Sequence, residues 1–227
     1  NTVQPSTGSI LQLSVGELAD LRLNGDLSDG NDEVIITGDN SGLNIQVNGI
    51  STSVDVPGTI LVRLGEGNDK FDASGIAAGT NVKFEIYGGS GNDEMHGNAG
   101  NDILNGGTGE DELFGDQGND KINGGTDDDW ISGGQGNDKL RGQSGNDVFS
   151  GNDGKDYLNG GAGDDNLVGG AGVDKIVGGK GADVIWDPLG GWAFDEATRC
   201  LNWGARILIL GFLAGAPALA KTNHLLI

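Results

Sequence analysis

From residue 88 to residue 186 the chain is built from units of nine residues that follow one another without a break. There are eleven units, among them GNAGNDILN and GDQGNDKIN. Position 1 is Gly and position 6 is Asp in all eleven, position 8 is always apolar, and position 4 is Gly in all but the fifth unit, where it is Asp127. A fixed period of this kind predicts stacked structural repeats.

Each position of the unit indicates a local structure. The Gly-rich first half favours a turn with positive φ, which Gly adopts without a Cβ clash. Positions 7 to 9 read polar, apolar, mixed, which fits a very short strand with one inward side chain. Two units then make one coil of turn, strand, turn and strand. The predicted inward residues are Met95, Leu104, Leu113, Ile122, Ile131, Leu140, Phe149, Leu158, Leu167, Ile176 and Ile185.

Stacking of these coils brings the aspartates together. The position-6 Asp of one unit should lie about 4.8 Å from that of the unit two places later, which makes two columns along the two edges. Two unit charges at that distance repel by roughly 0.9 kcal/mol in water and by about 3.5 kcal/mol at an effective dielectric of 20. Burial of one side chain in every nine residues does little to offset this repulsion and the conformational entropy that the chain loses on folding.

We therefore expect a bound cation to fold the array. Carboxylate and carbonyl oxygens suit Ca²⁺ better than Zn²⁺ or Cu²⁺. The predicted metal ligands are the position-6 aspartates: Asp93, Asp102, Asp111, Asp120, Asp129, Asp138, Asp147, Asp156, Asp165, Asp174 and Asp183.

Composition narrows the partner classes. The chain has 13 basic and 34 acidic residues among 227, a net charge of −21. This balance argues against nucleic acid as a partner, because phosphate neutralisation needs Lys and Arg. Gly accounts for 45 residues and hydrophobic residues for only 35%, so an ordinary packed core is not expected. The single cysteine, Cys200, excludes an internal disulfide.

The units resemble the RTX (hemolysin-type calcium-binding) nonapeptide repeat family, whose consensus is G-G-x-G-x-D-x-U-x. The resemblance implies an all-β fold, a parallel β-roll, with Ca²⁺ held between the turns of units i and i+2 by the position-6 Asp and backbone carbonyls. Eleven units contain nine such pairs, so up to about nine ions are implied. The end turns lack a neighbour, so the sites at Asp93, Asp102, Asp174 and Asp183 are expected to be partly open.

Some units depart from this consensus. Asp127 at position 4 either strains its turn or adds a ligand. Asn98, Asp116, Gln143 and Asn152 replace the second Gly. Asn and Asp tolerate left-handed geometry best after Gly, so Gln143 is the weakest fit.

Residues 1–87 are expected to form an irregular, β-rich lead-in to the array. Alternating or β-branched runs occur at 10–15, 34–37, 43–47, 60–64 and 82–87, whereas residues 17–23 fit either a short helix or a strand. Two isolated repeat-like segments, LSDGNDEVI at 27–35 and LGEGNDKFD at 64–72, lie at spacings that are not multiples of nine. We expect longer, irregular coils that stack onto the array and cap it. Asp32 and Asp69 are either calcium ligands or, as is favoured, plain turn residues.

Residues 187–227 differ in character from the array. Asp195 could begin a helix, and residues 207–220 form an uncharged stretch of fourteen residues. That stretch is shorter than the ~20 residues that a membrane-spanning helix needs, so no firm membrane span is expected. Three interpretations stay open: a C-terminal secretion signal read by a type I secretion machinery, which the resemblance implies; an array cap with a sticky end; and a membrane-contacting or aberrant tail.

Sequence motifs of catalysis are missing. The chain has no G-x-S-x-G, no H-E-x-x-H and no phosphate-binding loop, and its only histidines are His96 and His224. We therefore expect no enzyme activity from this chain, with any catalytic domain lying outside it.

Together with the resemblance, these features favour a calcium-binding repeat module of a secreted, extracellular bacterial protein. The module would fold on meeting extracellular calcium, which would aid export and produce a rigid element. Two alternatives remain: an adhesin or surface-layer segment, with cell-surface contact or self-association, and the non-catalytic C-terminal part of a calcium-dependent hydrolase or toxin.

Overall fold

A computed structural model describes residues 12–15, 20–24, 30–54, 58–80 and 82–186. These residues contain no helix and are dominated by strands. The strands are β1 Gln12–Val15, β2 Asp20–Asn24, β3 Glu33–Asp39, β4 Gly42–Val47, β5 Ile50–Val54, β6 Thr59–Glu66, β7 Lys70–Asp72, β8 Lys83–Ser90, β9 Glu94–Asn98, β10 Ile103–Thr108, β11 Glu112–Gln117, β12 Lys121–Thr126, β13 Trp130–Gln135, β14 Lys139–Ser144, β15 Val148–Gly154, β16 Tyr157–Ala162, β17 Asn166–Gly172, β18 Lys175–Lys180 and β19 Val184–Trp186.

The array is a parallel β-roll, as predicted. Successive strands alternate between two sheets, so that β8, β10, β12, β14, β16 and β18 are neighbours in one sheet and β9, β11, β13, β15, β17 and β19 in the other. Each strand pairs in parallel with the strand two units later, and Leu104 lies opposite Ile122 in that register. Two nonapeptides therefore form one coil, and the coils stack into a solenoid.

The core of the array consists of apolar side chains that point from both sheets into the space between them. All eleven position-8 residues are buried, from Met95 at one end to Ile185 at the other, which confirms the inward positions predicted from the sequence. The same cluster continues into the lead-in, where Phe71 and Phe84 meet edge to face with ring centroids 5.3 Å apart. Lead-in and array thus share one hydrophobic core.

The repeat strands are longer than the sequence predicted. Strand β12, Lys121–Thr126, covers positions 7 to 9 of one unit and positions 1 to 3 of the next. Positions 1 to 3 belong to the ladder because their residues also pair two units later, as Gly107 does with Gly125. The turn is therefore confined to positions 4 to 6, and a positive φ at position 2, 137° at Gly125, bends the strand into it.

The lead-in stacks onto the array but not as a simple coil. In one sheet β2 and β6 continue the parallel ladder below β8, and in the other β3 and β7 continue it below β9. The second sheet ends in an antiparallel meander of β3, β4 and β5, and the first ends in the antiparallel pair β1 and β2. Of the stretch at 17–23, residues 20–23 belong to strand β2, which favours the strand interpretation.

Four of the five departures from the glycine pattern adopt the left-handed conformation that the array requires. The φ angles are 71° at Asp116, 79° at Asp127, 85° at Gln143 and 72° at Asn152. Gln143, the weakest fit by residue type, thus adopts the same geometry as the others. Asn98 does not, and its turn has a different conformation that is described below.

The predictions for residues 187–227, including the helix begun by Asp195, lie outside the described residues. Within the described ranges, no helix has the length and apolar character needed to cross a membrane.

Candidate calcium sites

The position-6 aspartates form two ladders, one along each edge of the roll. In each ladder the main-chain N–H of one aspartate donates a hydrogen bond to Oδ1 of the aspartate 18 residues later. Asp111 donates to Asp129 in this way at 2.9 Å, and Asp120 donates to Asp138 at 2.8 Å. The structure therefore brings these predicted site residues together in two columns. One column runs Asp93, Asp111, Asp129, Asp147, Asp165, Asp183, and the other Asp102, Asp120, Asp138, Asp156, Asp174.

The second carboxylate oxygen of most of these aspartates is buried and has no hydrogen-bond donor. Burying a carboxylate oxygen without a donor or a cation is costly. The aspartates themselves are at most 5% exposed, so water offers little compensation. The unpartnered atoms are Oδ2 of Asp93, Asp111, Asp120, Asp129, Asp138, Asp147, Asp156, Asp165 and Asp183.

Backbone carbonyl oxygens converge on the same places. A Cβ atom added to Gly115 would lie 2.5 Å from Oδ2 of Asp120 and 2.6 Å from the carbonyl oxygen of Gly133 in the next coil. The missing side chain at position 1 thus leaves room for a carboxylate oxygen and a carbonyl oxygen to approach one another. An all-oxygen set of this kind matches the preference of Ca²⁺, so the residues present fit that ion.

The protein alone does not favour the ionised form of these carboxyls. Burial, reinforced by the neighbouring aspartates and partly opposed by the backbone hydrogen bond, raises the pKa of Asp120 and that of Asp129 to about 8. Burial likewise raises the pKa of Asp93 and that of Asp165 to about 7. A bound divalent cation would reverse this tendency, because an opposite charge stabilises the carboxylate.

A second ladder, at position 5, was missed by the sequence analysis. The side-chain oxygen of Asn101 accepts a 2.7 Å hydrogen bond from the main-chain N–H of Asn119, and Asn119 does the same for Asn137 at 2.8 Å. This ladder runs opposite to the aspartate ladder, because here the earlier residue supplies the side chain. The signal was present in the sequence, since seven of the eleven position-5 residues are Asn or Asp.

Asp102, at the end of its column, differs from the other predicted ligands. Its Oδ1 accepts a 2.7 Å hydrogen bond from the main-chain N–H of Phe84, and its Oδ2 accepts one of 3.0 Å from that of Asn98. The second bond is made by Asn98, the position-2 replacement that does not adopt the left-handed conformation. Both oxygens of Asp102 are therefore satisfied by the protein.

Asp127, the exception at position 4, also has protein partners. Its Oδ2 accepts hydrogen bonds from the main-chain N–H of Gly109 at 3.2 Å and from Oγ1 of Thr126 at 3.1 Å. The carboxylate thus links two successive turns of its column.

Within the described residues, no three His, Cys, Asp or Glu side chains converge on one point. The ring of His96 stacks on that of Phe114 with ring centroids 4.3 Å apart, and its Nε2 lies 3.4 Å from Oε1 of Glu94. A repeat β-roll of this construction is typically structural and not catalytic.

Comparison with known proteins supports the calcium assignment. The model of the RTX calcium-binding nonapeptide repeat matches in four copies, at residues 87–122, 114–149, 123–158 and 150–185. No curated protein sequence and no solved structure matches the chain. Residues 87–185 are therefore RTX calcium-binding nonapeptide repeats, and the β-roll that they form is a calcium-binding repeat module.

Proposed function

We propose that this chain is a calcium-dependent folding switch: an extended chain where calcium is scarce and a rigid β-roll where it is near millimolar. The observation that carries the proposal is the row of buried carboxylate oxygens without donors along both edges of the roll. An acidic, Gly-rich chain gains little from folding while these charges are unbalanced. Calcium supplies the missing charge and the missing ligand at once.

The expected stabilisation is large enough to control folding. At a Kd of about 0.1 mM, within the range of extracellular calcium modules, each site adds roughly 1.4 kcal/mol at about 1 mM Ca²⁺. Nine sites between paired turns would add on the order of 13 kcal/mol, which is comparable to the net stability of a whole domain. At calcium concentrations far below Kd the same sites contribute almost nothing. Binding and folding should therefore occur as one event.

This switch suits a secreted bacterial protein, because RTX repeats are typical of such proteins. A chain that stays extended inside the cell and folds outside it would leave through a narrow export channel without unfolding. The site residues of the proposed switch are the aspartates of the two columns except Asp102, whose two oxygens already have protein donors.

A calcium titration followed by far-ultraviolet circular dichroism tests the proposal. Chelator-treated protein should change steeply from coil to strand between about 0.1 and 1 mM Ca²⁺, and Mg²⁺ at the same concentrations should leave it unfolded. Full strand content in chelator would contradict the switch and would favour a constitutive scaffold.

A second candidate function, a contact surface of an adhesive or surface-layer segment, is favoured by exposed apolar side chains on the outer face. Trp130 is 54% exposed, and its cross-strand neighbour Val148 is 37% exposed. Sedimentation velocity of the calcium-loaded chain distinguishes the two functions. Self-association that Trp130→Ser abolishes would support a contact surface, whereas a monomer would support the switch alone.

A further inference from the structure

Three of the four residues that replace the position-2 glycine belong to the same sheet of the roll. Asn98, Asp116 and Asn152 lie in β9, β11 and β15, whereas Gln143 lies in β14 of the other sheet. Asp116 and Asn152 have φ angles of 71° and 72°, a conformation that Gly adopts at lower cost. Unfavourable backbone conformations of this kind are found most often at functional sites, so these three side chains indicate a function on their sheet.

The three residues line one open groove. Its volume is about 530 Å³, within the range of about 300–1,000 Å³ that small-molecule sites occupy. The lining comes from strands β9, β11, β13 and β15 of the array and from Ser74, Ile76 and Ala78, in the segment that connects β7 to β8. Of the described residues that line the groove, Asp116 and Asp153 are acidic and none is Lys or Arg. The groove thus lies where the lead-in meets the array, and its lining disfavours anions.

Two buried polar atoms of this groove have no hydrogen-bond partner among the described residues. They are Nδ2 of Asn98, which is 3% exposed, and Oδ2 of Asp116. Oδ1 of Asn98 accepts a 2.7 Å hydrogen bond from the main-chain N–H of Gly100, which leaves Nδ2 as the free end of the amide. Asn98 and Asp116 are register partners on adjacent strands. A free donor and a free acceptor therefore stand on neighbouring residues, and a ligand hydroxyl group can both accept and donate.

The carboxyl group of Asp116 also lacks a paired cation in the described part of the chain. Burial raises the pKa of Asp116, the nearby His96 opposes this shift, and Asp72 adds to it. A buried carboxylate oxygen of this kind is stabilised by a ligand that donates a hydrogen bond to it.

A hydroxyl group and an aromatic ring border the same pair. Nδ2 of Asn152 donates a 2.9 Å hydrogen bond to Oγ of Ser132, so Ser132 can donate its own hydroxyl proton to a ligand. Phe114 is the register partner of Ser132, and one face of its ring is covered by His96, with centroids 4.3 Å apart and planes inclined by 6°. The opposite face is therefore turned toward Ser132, whose side chain is small and lines the groove. The C–H groups of a sugar ring can pack against such an aromatic face.

We propose that this groove binds a neutral saccharide unit. One face of a sugar ring packs against Phe114, and its hydroxyl groups form hydrogen bonds with Asn98 and Asp116. A sugar fits because its hydroxyls both donate and accept, as the two unpartnered atoms require. A charged sugar acid does not fit, because Asp116 and Asp153 would repel it. This function is additional to the calcium switch, since no aspartate of the two columns lines the groove.

Nuclear magnetic resonance titration of the whole ¹⁵N-labelled chain at saturating Ca²⁺ tests the proposal. The neutral probes are lactose, maltose and mannobiose, and the anionic probe is digalacturonic acid. At least one neutral disaccharide should shift the side-chain amide signal of Asn98, whereas digalacturonic acid should leave it unchanged. Asp116→Gly restores the repeat consensus and should weaken binding at least about tenfold, the loss of one hydrogen bond to a charged group. Gln143→Gly restores the consensus in the other sheet and should bind as tightly as the unsubstituted chain.

Three results would overturn the proposal: no shift of the Asn98 signal with any neutral disaccharide, equal affinities of Asp116→Gly and the unsubstituted chain, or a shift caused only by a lysine tetrapeptide, which would assign the groove to a basic peptide. Circular dichroism of the same samples with calcium and with chelator reports on the calcium switch separately. If Asp116→Gly fails to fold, Phe114→Ser decides, because Ser occupies the same position in the next two units of this sheet, at 132 and 150. Undiminished sugar affinity of folded Phe114→Ser then overturns the proposal.

Discussion

The main-chain N–H of Asp120 donates a 2.8 Å hydrogen bond to Oδ1 of Asp138, and Oδ2 of Asp138 is left buried without a partner. One oxygen of the carboxylate thus holds two coils together, and the other is available to an ion. Under the proposed function, a carboxylate of this kind therefore serves both coil stacking and calcium binding. Replacement by Asn can separate the two roles, because Asn retains one acceptor oxygen.

Replacing a mid-array aspartate should remove calcium binding with little loss of stacking. Asp129→Asn should bind fewer ions and lose at least roughly 1.4 kcal/mol of stability at about 1 mM Ca²⁺, the contribution of one site. Asp128→Asn is the matched control, because residue 128 is exposed and its Oδ1 accepts from the N–H of Asn146, a bond that Asn preserves. Equilibrium dialysis and the calcium midpoint of folding measure both effects. Equal losses in the two variants would show that charge alone matters.

The calcium-free chain should be more folded at low pH than at high pH. The pKa of Asp120 rises to about 8 in the folded chain because of burial, from an ordinary value of 3.8. A group whose pKa is raised by folding contributes stability that is full below its unfolded value and is lost as the pH rises through its folded value. In chelator, strand content should therefore be greater near pH 4 than near pH 8. Circular dichroism that is independent of pH across this window would contradict the expectation.

The same shifts predict competition between protons and calcium. The pKa of Asp93 and that of Asp165 rise to about 7 because of burial, so these carboxyls become protonated as the pH falls below that value in the calcium-free roll. Where low pH folds the calcium-free chain with these carboxyls protonated, calcium must displace those protons. The calcium concentration at half-saturation of binding should thus be higher at pH 5 than at pH 8, and isothermal titration calorimetry at pH 5 in buffers of different ionisation enthalpy should detect proton release. Absence of released protons at pH 5 would argue against these carboxyls as ligands.

A methyl group at position 1 should block one site. In Gly115→Ala the new Cβ would lie 2.5 Å from Oδ2 of Asp120 and 2.6 Å from the carbonyl oxygen of Gly133, so the oxygens must separate. We expect a higher calcium midpoint and weaker binding at that site. Gly58→Ala is the control, because nothing lies within 4 Å of its Cβ. Identical calcium titrations of the two variants would show that the position-1 glycines do not shape the sites.

Asp102 should behave differently from Asp120 when each is replaced by Asn. Both oxygens of Asp102 accept hydrogen bonds from main-chain N–H groups. In Asp102→Asn the side-chain NH₂ would face one of these N–H donors, and the lost bond should cost about 1–3 kcal/mol of stability. The calcium midpoint of Asp102→Asn should rise while the number of bound ions stays the same. In Asp120→Asn the number should fall. A lost ion in Asp102→Asn, measured by native mass spectrometry, would place Asp102 among the ligands.

Much of the array could be predicted from the nonapeptide period because every unit repeats the same local choices. The alternation around Leu104 and Ile122 decides which side chains face inward, and the stacking of two units per coil places the aspartates in columns. The lengths of the strands could not be predicted in the same way. Glycines at positions 1 and 2 indicate a turn by residue type, but pairing across coils draws them into the ladder.

The hydrogen bonds of the aspartates at the N-terminal end of the array could not be predicted from the sequence, because they depend on tertiary structure. The separations of 37 and 24 residues between Asp32, Asp69 and Asp93 follow no period, so their alignment in one column results from the stacking of β3 and β7 under β9. The two donors to Asp102 likewise come from Phe84, in the unrepeated segment, and from Asn98, which departs from the glycine pattern. Sequence by itself determined the repeat and its core, because those are properties of one unit copied eleven times. Only the folded chain decided where the columns continue and where they stop, because that depends on which backbone N–H groups the unrepeated segments bring to each carboxylate.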